Sequence, residues 1–140
     1  RDAQESRGLG DVYKRQLEDF MQRVRSAKQT TDVSSQIQNI CDYISVNPGE
    51  KFSIAELAEK TGYTEYYFSH KFKKEIGISI ADFIKQVKLE KAKLLLSATT
   101  MNIQKISDEL AFGSRSYFSS SFQKAFGMSP SEYRNKNTKL

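Results

Sequence analysis

Residues 79–97 read SIADFIKQVKLEKAKLLLS, and the pattern that stands before this stretch stands again after it. The stretch predicts a single helix. Ser79 suits an N-cap, and Asp82 carries negative charge into the first turn, where the helix dipole favours it. No Gly or Pro interrupts the run, and Leu, Lys, Ala and Glu are strong helix formers. Its apolar residues do not make one stripe. Phe83, Ile84, Val87, Leu94 and Leu95 share one side, whereas Leu89, Ala92 and Leu96 fall on another. A helix apolar on more than one side is expected to lie between two bodies, and a candidate body stands at each end.

Upstream, Ser53-x-x-Glu56 is a capping-box pattern that opens a short helix with Ile54, Leu57 and Ala58 turned inward. Thr61-Gly62 ends it. Thr64 caps a helix over 65–76 whose Phe68 and Phe72 are i, i+4 neighbours, and Gly77 is placed to close it. Two short helices joined by a tight glycine turn form a helix-turn-helix. Downstream, Ile103, Ile106 and Leu110 mark a short helix and Ala111-Phe112-Gly113 a turn. Ser114 then caps a helix that contains Phe118 and Phe122 and ends at Gly127. Tyr67-Phe68-Ser69-x-x-Phe72-x-Lys74-x-x-Gly77-x-Ser79 recurs as Tyr117-Phe118-Ser119-x-x-Phe122-x-Lys124-x-x-Gly127-x-Ser129, seven identities at a constant offset of 50. In the preceding helix the offset is 49 (Ile54 to Ile103, Leu57 to Ile106), so the second turn carries one extra residue. Ser129-Pro130-x-Glu132 is a capping box with Pro at the first helical position, starting a last helix through Tyr133 and Arg134 with a frayed end over 135–140.

Before the first repeat, Ser35-x-x-Gln38 reads as another capping box, opening a helix with Ile37, Ile40, Cys41 and Ile44 on one face and ending at Asn47-Pro48-Gly49. Residues 17–29 carry apolar side chains at 17, 20, 21 and 24, an amphipathic spacing. With the polar break at 30–34, they read as a connector, 17–34, from an upstream domain missing from this sequence. Residues 1–16 do not resemble protein sequence: 11–16, DVYKRQ, is similar to the translation of a transposase mosaic end from sequencing-library adaptors. They are expected to stand outside the fold. Setting them aside leaves 18 basic and 14 acidic residues, a charge of +4. The fold expected is all-α: one helix-turn-helix unit over 35–78, a linker helix over 79–97, and a second unit with its terminal helix over 98–140.

A chain of 140 residues allows one domain or two very small ones, and a formal charge of +5 admits an anionic partner without requiring one. Cys41 is the sole cysteine and His70 the sole histidine. That excludes a disulfide framework, a cysteine-based zinc site and most histidine-based chemistry within the chain. Cys41, in an apolar stripe with no basic partner beside it in sequence, reads as a small core residue. No apolar run is long enough to cross a bilayer. A soluble, cytoplasmic protein with no cofactor, no metal and no catalytic activity is expected.

Tyr117-Phe118-Ser119-x-x-Phe122-x-Lys124-x-x-Gly127-x-Ser129-Pro130-x-x-Tyr133-Arg134 is similar to the signature of the DNA-binding domain of the AraC/XylS family of bacterial transcription regulators. The resemblance spans about residues 35–136. It implies two helix-turn-helix units joined by a long helix, with 79–97 as that linker. Three positions depart from the family pattern. Ser107 replaces a close-packed Ala, Ala111 replaces a turn Gly, and Lys88 stands where Arg is usual. Lysine offers a point charge where arginine offers a bidentate fork.

A nineteen-residue helix is roughly 28 Å long, and successive major grooves on one face of B-DNA lie about 34 Å apart. Two recognition helices at its ends could therefore reach adjacent grooves. Subtracting the inward Phe68 and Phe72 leaves Glu65, Tyr66, Ser69, His70 and Lys73 outward, and the resemblance implies base contacts at Tyr66, Ser69 and His70. Glu65 joins that candidate set. In the second helix the same subtraction leaves Arg115, Ser116, Ser119 and Ser120, of which Arg115 alone can grip guanine bidentately. Lys73, Lys74, Lys124 and Arg134, close to the recognition helices, are candidates for phosphate contact, with solvated surface charge as the bland alternative. Tyr67 and Tyr117 are read as structural or phosphate-contacting.

The function expected is sequence-specific binding of double-stranded DNA by a transcription regulator, activator or repressor. RNA polymerase is the further partner of the full-length protein. The fragment is expected to be monomeric, with any dimerisation through the missing domain. Two alternatives stay open: the DNA-binding module of an enzyme-coupled, repair-type or sensor fusion, and an interaction module that has lost DNA binding.

Overall fold

Capping chemistry and apolar spacing recur along the chain, and the helices follow them. The computed structural model describes residues 3–26 and 33–138, and every regular element among these is an α-helix. In chain order they are α1 (Ala3–Ser26), α2 (Ser35–Val46), α3 (Ile54–Thr61), α4 (Glu65–Ile76), α5 (Ile80–Ala98), α6 (Ile103–Glu109), α7 (Arg115–Phe126) and α8 (Pro130–Asn137). Packing divides the chain into two units, one of Leu17–Val87 and one of Arg1–Gln16 with Lys88–Leu140. The division falls inside α1 and inside α5, so each of these helices contributes residues to both units.

In the unit Leu17–Val87, α2 buries Ile37, Ile40, Cys41 and Ile44, and α3 buries Leu57 and Ala58. Phe68 and Phe72 of α4 are fully buried, and Phe72 meets Phe83 of α5 edge-on at 5.4 Å between ring centroids. Phe20 of α1 reaches the same Phe83 ring at 6.0 Å. The α3–α4 turn closes on Gly62 at φ 80°, and α4 stops at Gly77, φ 103°, both in the left-handed region that glycine adopts without steric cost. Thr64 accepts the Tyr67 amide at 3.1 Å, as its cap position requires.

The start of α2 differs from its expected form. Ser34, not Ser35, occupies the N-cap, without a side-chain cap bond, and the Gln38 side chain donates to Asp42 at 2.9 Å. The Ser34 amide instead donates to Glu75 Oε1 of α4 at 2.6 Å. Glu75 also holds Lys71 at 2.7 Å. Burial pushes its carboxyl upward, but the hydrogen bonds from Lys71 and Ser34 outweigh that and hold it below the usual range. A long-range acceptor has thus replaced the local box. At α3 only half of the box forms: Ser53 accepts the Glu56 amide at 3.4 Å.

In the other unit, Leu89, Ala92 and Leu96 of α5 pack with Ile103, Ile106, Leu110, Phe112, Phe118 and Phe122. Ser129 and Glu132 form the complete capping box of α8, which continues to Asn137, beyond the expected frayed end at 135; residues 139–140 lie outside the described residues. The two departures in α6 and its turn have structural answers. The buried Ser107 donates its hydroxyl to the Ser114 carbonyl at 3.1 Å, so its polarity is satisfied. Ala111 adopts φ 55° in place of the missing glycine. A left-handed alanine is strained, so Ala111→Gly is expected to stabilise the chain by about 0.5–1 kcal/mol. A urea midpoint that stays put or falls would mean that packing of the methyl group outweighs the strain.

Within residues 1–16, expected to stand outside the fold, the described part of α1 carries one buried hydrophobic side chain, Tyr13. Tyr13 is buried in the unit of Arg1–Gln16 with Lys88–Leu140, and Leu17 and Phe20 are buried in the other. Within the second unit, Lys91 Nζ sits 4.6 Å from the Tyr13 ring centroid. Burial, with Glu90 nearby, pushes the Tyr13 phenol well above its ordinary range. The apolar position at 24 and most of the polar break at 30–34 lie outside the described side chains.

Candidate nucleic-acid interface

Burying Phe68 and Phe72 on one face of α4 turns the opposite face to solvent. Glu65, Tyr66, Tyr67, His70, Lys73 and Lys74 are exposed, and Ser69 is half-buried. Tyr66, at 75% exposure, is too open for a core residue, and its ring lies against His70 with centroids 4.0 Å apart. Tyr67 is half committed to the fold: its ring meets Tyr63 edge-on at 4.9 Å.

Between α4 and the start of α5 lies an open concavity of about 520 Å³, lined in part by Ser69, His70, Lys73, Lys74, Ser79 and Ala81. The Ser79 hydroxyl accepts the Asp82 amide at 3.1 Å, leaving other first-turn amides of α5 without intrahelical partners. A concavity lined by two lysines and a helix N-terminus suits a phosphate oxygen. Sequence reading marked Ser79 as a cap but did not connect it with Lys73 and Lys74.

On α7, Arg115, Ser116, Ser120 and Lys124 are exposed, Ser119 is half-buried, and Phe118 and Phe122 are fully buried beneath them. Ser114 caps the helix through the Tyr117 amide at 3.1 Å. Ser120 donates to the Tyr117 carbonyl at 3.2 Å, so toward a ligand its oxygen serves as an acceptor. Tyr117 leans on Phe112 at 6.0 Å and remains 50% exposed. The helix thus offers Arg115 at its N-terminal end, hydroxyls along its middle and Lys124 in its last turn.

Arg134 has another employment than the one its charge suggested. Its Nε donates to the Leu96 carbonyl at 2.9 Å, and Nη2 reaches the carbonyls of Leu95 at 3.4 Å and Thr99 at 3.3 Å. The guanidinium caps the C-terminal end of α5, where the dipole also favours positive charge. Arg134→Ala is expected to cost about 1.5–3 kcal/mol of stability, with Arg134→Lys recovering part of it. A loss below 0.5 kcal/mol in denaturant titration, roughly that of an ordinary surface substitution, would mean that water replaces the guanidinium freely.

Among the described residues, no group of three or more His, Cys, Asp or Glu side chains could hold a metal ion, and no helix is long and apolar enough to cross a membrane. A family model described as a helix-turn-helix domain matches residues 57–136. The arabinose operon regulatory protein of Salmonella typhimurium is 35% identical over 103 residues, 73% of this chain and 37% of that protein. The chain therefore spans little more than a third of the length of that curated relative. The C-terminal domain of AraT, a response regulator from Geobacillus stearothermophilus, superposes with a TM-score of 0.73 at 28% identity, covering 79% of this chain and 92% of that one. The DNA-binding domain of AdpA, solved in complex with a target DNA, gives a TM-score of 0.70 over 74% of this chain and 93% of that one. At 18% identity it speaks for the fold alone.

Proposed function

The chain belongs to the AraC/XylS family of helix-turn-helix proteins, and from that membership we propose that it is the sequence-specific, double-stranded DNA-binding part of a bacterial transcription regulator. The observation that carries the reading is the twofold face pattern. Phe68 and Phe72 are buried beneath the outward Tyr66, His70 and Lys73, and Phe118 and Phe122 beneath the outward Arg115, Ser116 and Ser120. A helix fixed from below by two rings presents its other face in a defined orientation, which reading base edges in a major groove requires.

On this reading α4 and α7 enter successive major grooves. Glu65, Tyr66, Ser69 and His70 face base edges from α4, and Arg115, Ser116, Ser119 and Ser120 from α7. Lys73, Lys74 and Lys124, with the Tyr67 and Tyr117 hydroxyls, hold phosphates and set the register. The serine-rich surface of α7 suits positioning and DNA shape more than direct readout, apart from Arg115. The proposal extends to a cytoplasmic regulator whose further partner is RNA polymerase and whose DNA-binding part carries out no catalysis.

Selection from a randomised duplex library is expected to recover two short, non-palindromic half-sites about 10 bp apart. Arg115→Ala should then cost about 1–3 kcal/mol and relax preference at one position. A selection without any consensus, or an Arg115→Ala protein of unchanged affinity and preference, would sink the respective claim.

A further inference from the structure

His70 is the only histidine in the chain, and its exposed ring makes two contacts with Tyr66. Its Nδ1 lies 2.9 Å from the Tyr66 carbonyl oxygen. A carbonyl oxygen can only accept, so this contact is a hydrogen bond when Nδ1 carries the proton, and it favours that tautomer of the ring. The Tyr66 ring lies against the imidazole at 4.0 Å and 32° between planes. Tyr66 and His70 are i, i+4 neighbours on one helix, so both contacts come from a single turn of α4.

We infer that neutral His70 is a base-reading acceptor: its Nε2 selects a base that offers an exocyclic amino group in the major groove. With the proton held on Nδ1, the neutral ring presents only a lone pair at Nε2. In the major groove adenine N6 and cytosine N4 are the donors, whereas guanine presents N7 and O6, both acceptors, and thymine presents O4 and a methyl group. A guanine or thymine facing Nε2 would set acceptor against acceptor. The selection therefore works by rejection as well as attraction. This differs from what a cationic side chain would do at the same position, since Arg or Lys there favours guanine. The inference rests on the reading of α4 as a groove-binding helix.

Two measurements test it separately. The first uses the DNA-free chain, uniformly labelled with 15N, at a pH where the ring is neutral. Long-range 1H–15N correlation of the single imidazole should show the proton on Nδ1 and a bare Nε2. A proton on Nε2 would overturn the inference without touching the proposal that the chain binds DNA. The second takes the duplex recovered by selection and replaces, one position at a time, adenine by purine deoxyriboside and cytosine by its 4-deamino analogue. Both analogues lack the exocyclic amino group. At one position the loss should reduce affinity roughly 3- to 10-fold, the effect of one hydrogen bond. Which analogue does so identifies the base. In His70→Ala the same replacement should have no effect, while substitutions under α7 keep theirs. If every amino deletion is harmless to the wild type, or equally harmful to His70→Ala, the acceptor role is wrong although specific binding stands. If the chain binds no duplex in a salt-dependent way, the DNA-binding proposal falls and takes this inference with it.

Discussion

Phe122→Ala is expected to destabilise the chain by about 3–5 kcal/mol, the range for truncating a fully buried aromatic side chain. Phe122 has no solvent exposure, and its ring contacts Phe126 at 4.7 Å, Tyr133 at 5.5 Å and Phe118 at 6.0 Å. Truncation would remove the ring on which α7 and α8 meet and leave a cavity that its rigid neighbours fill poorly. Phe126, which also holds Lys93 Nζ at 4.6 Å from its centroid, would lose its edge contact with the Phe122 ring. Loss of this anchor should release the face that carries Arg115 and Ser116, so specific DNA binding should weaken together with stability. Phe122→Leu, which keeps most of the apolar volume, should cost much less. Denaturant titration of both variants decides the matter. A Phe122→Ala protein within 1 kcal/mol of the wild type would mean that the unit collapses around the vacancy.

What could be read in the sequence was what depends on near neighbours. Thr64, Ser114 and Ser129 cap the helices that their spacing implied, because a cap is satisfied within three residues. The outward face of each recognition helix followed from locating the phenylalanine pair, since an α-helix that buries i and i+4 must expose the opposite side. Features set by distant partners were not legible. Ser34 and Ser35 are equivalent as local caps; the choice between them accompanies an acceptor on Glu75, 41 residues away. Arg134 reads in sequence as a phosphate-contact candidate because the carbonyls it serves lie 35 to 39 residues earlier. Ala111 was visible as a departure, but sequence could not say whether the turn would reshape or the alanine enter the left-handed region. The Tyr66–His70 pairing is an i, i+4 aromatic contact and so lies within reach of the sequence, but only when the two residues are read together rather than as separate DNA contacts.

Raising salt from 50 to 200 mM is expected to weaken binding to the selected duplex by about fortyfold if Lys73, Lys74 and Lys124 each neutralise one phosphate. Each phosphate contact contributes about 0.9 to the slope of log affinity against log salt, so three give about 2.7, and a fourfold rise in salt then multiplies the loss to that value. All three lysines are exposed on the helices that carry the proposed base contacts. Lys73 and Lys74 also line the concavity at the start of α5, where first-turn amides can share the same phosphate. Lys73→Ala and Lys74→Ala should each lower the slope by about one and weaken selected and unrelated duplexes alike. Arg134→Ala should leave the slope unchanged under conditions where it remains folded, because its guanidinium already serves the carbonyls at the end of α5. The series requires titrations at several salt concentrations, with selected and scrambled duplexes in parallel. A slope that does not change in either lysine variant would assign these side chains to solvent, and the phosphate contacts would have to be sought elsewhere. A slope that falls in Arg134→Ala would show that its charge reaches the DNA despite its place in the fold.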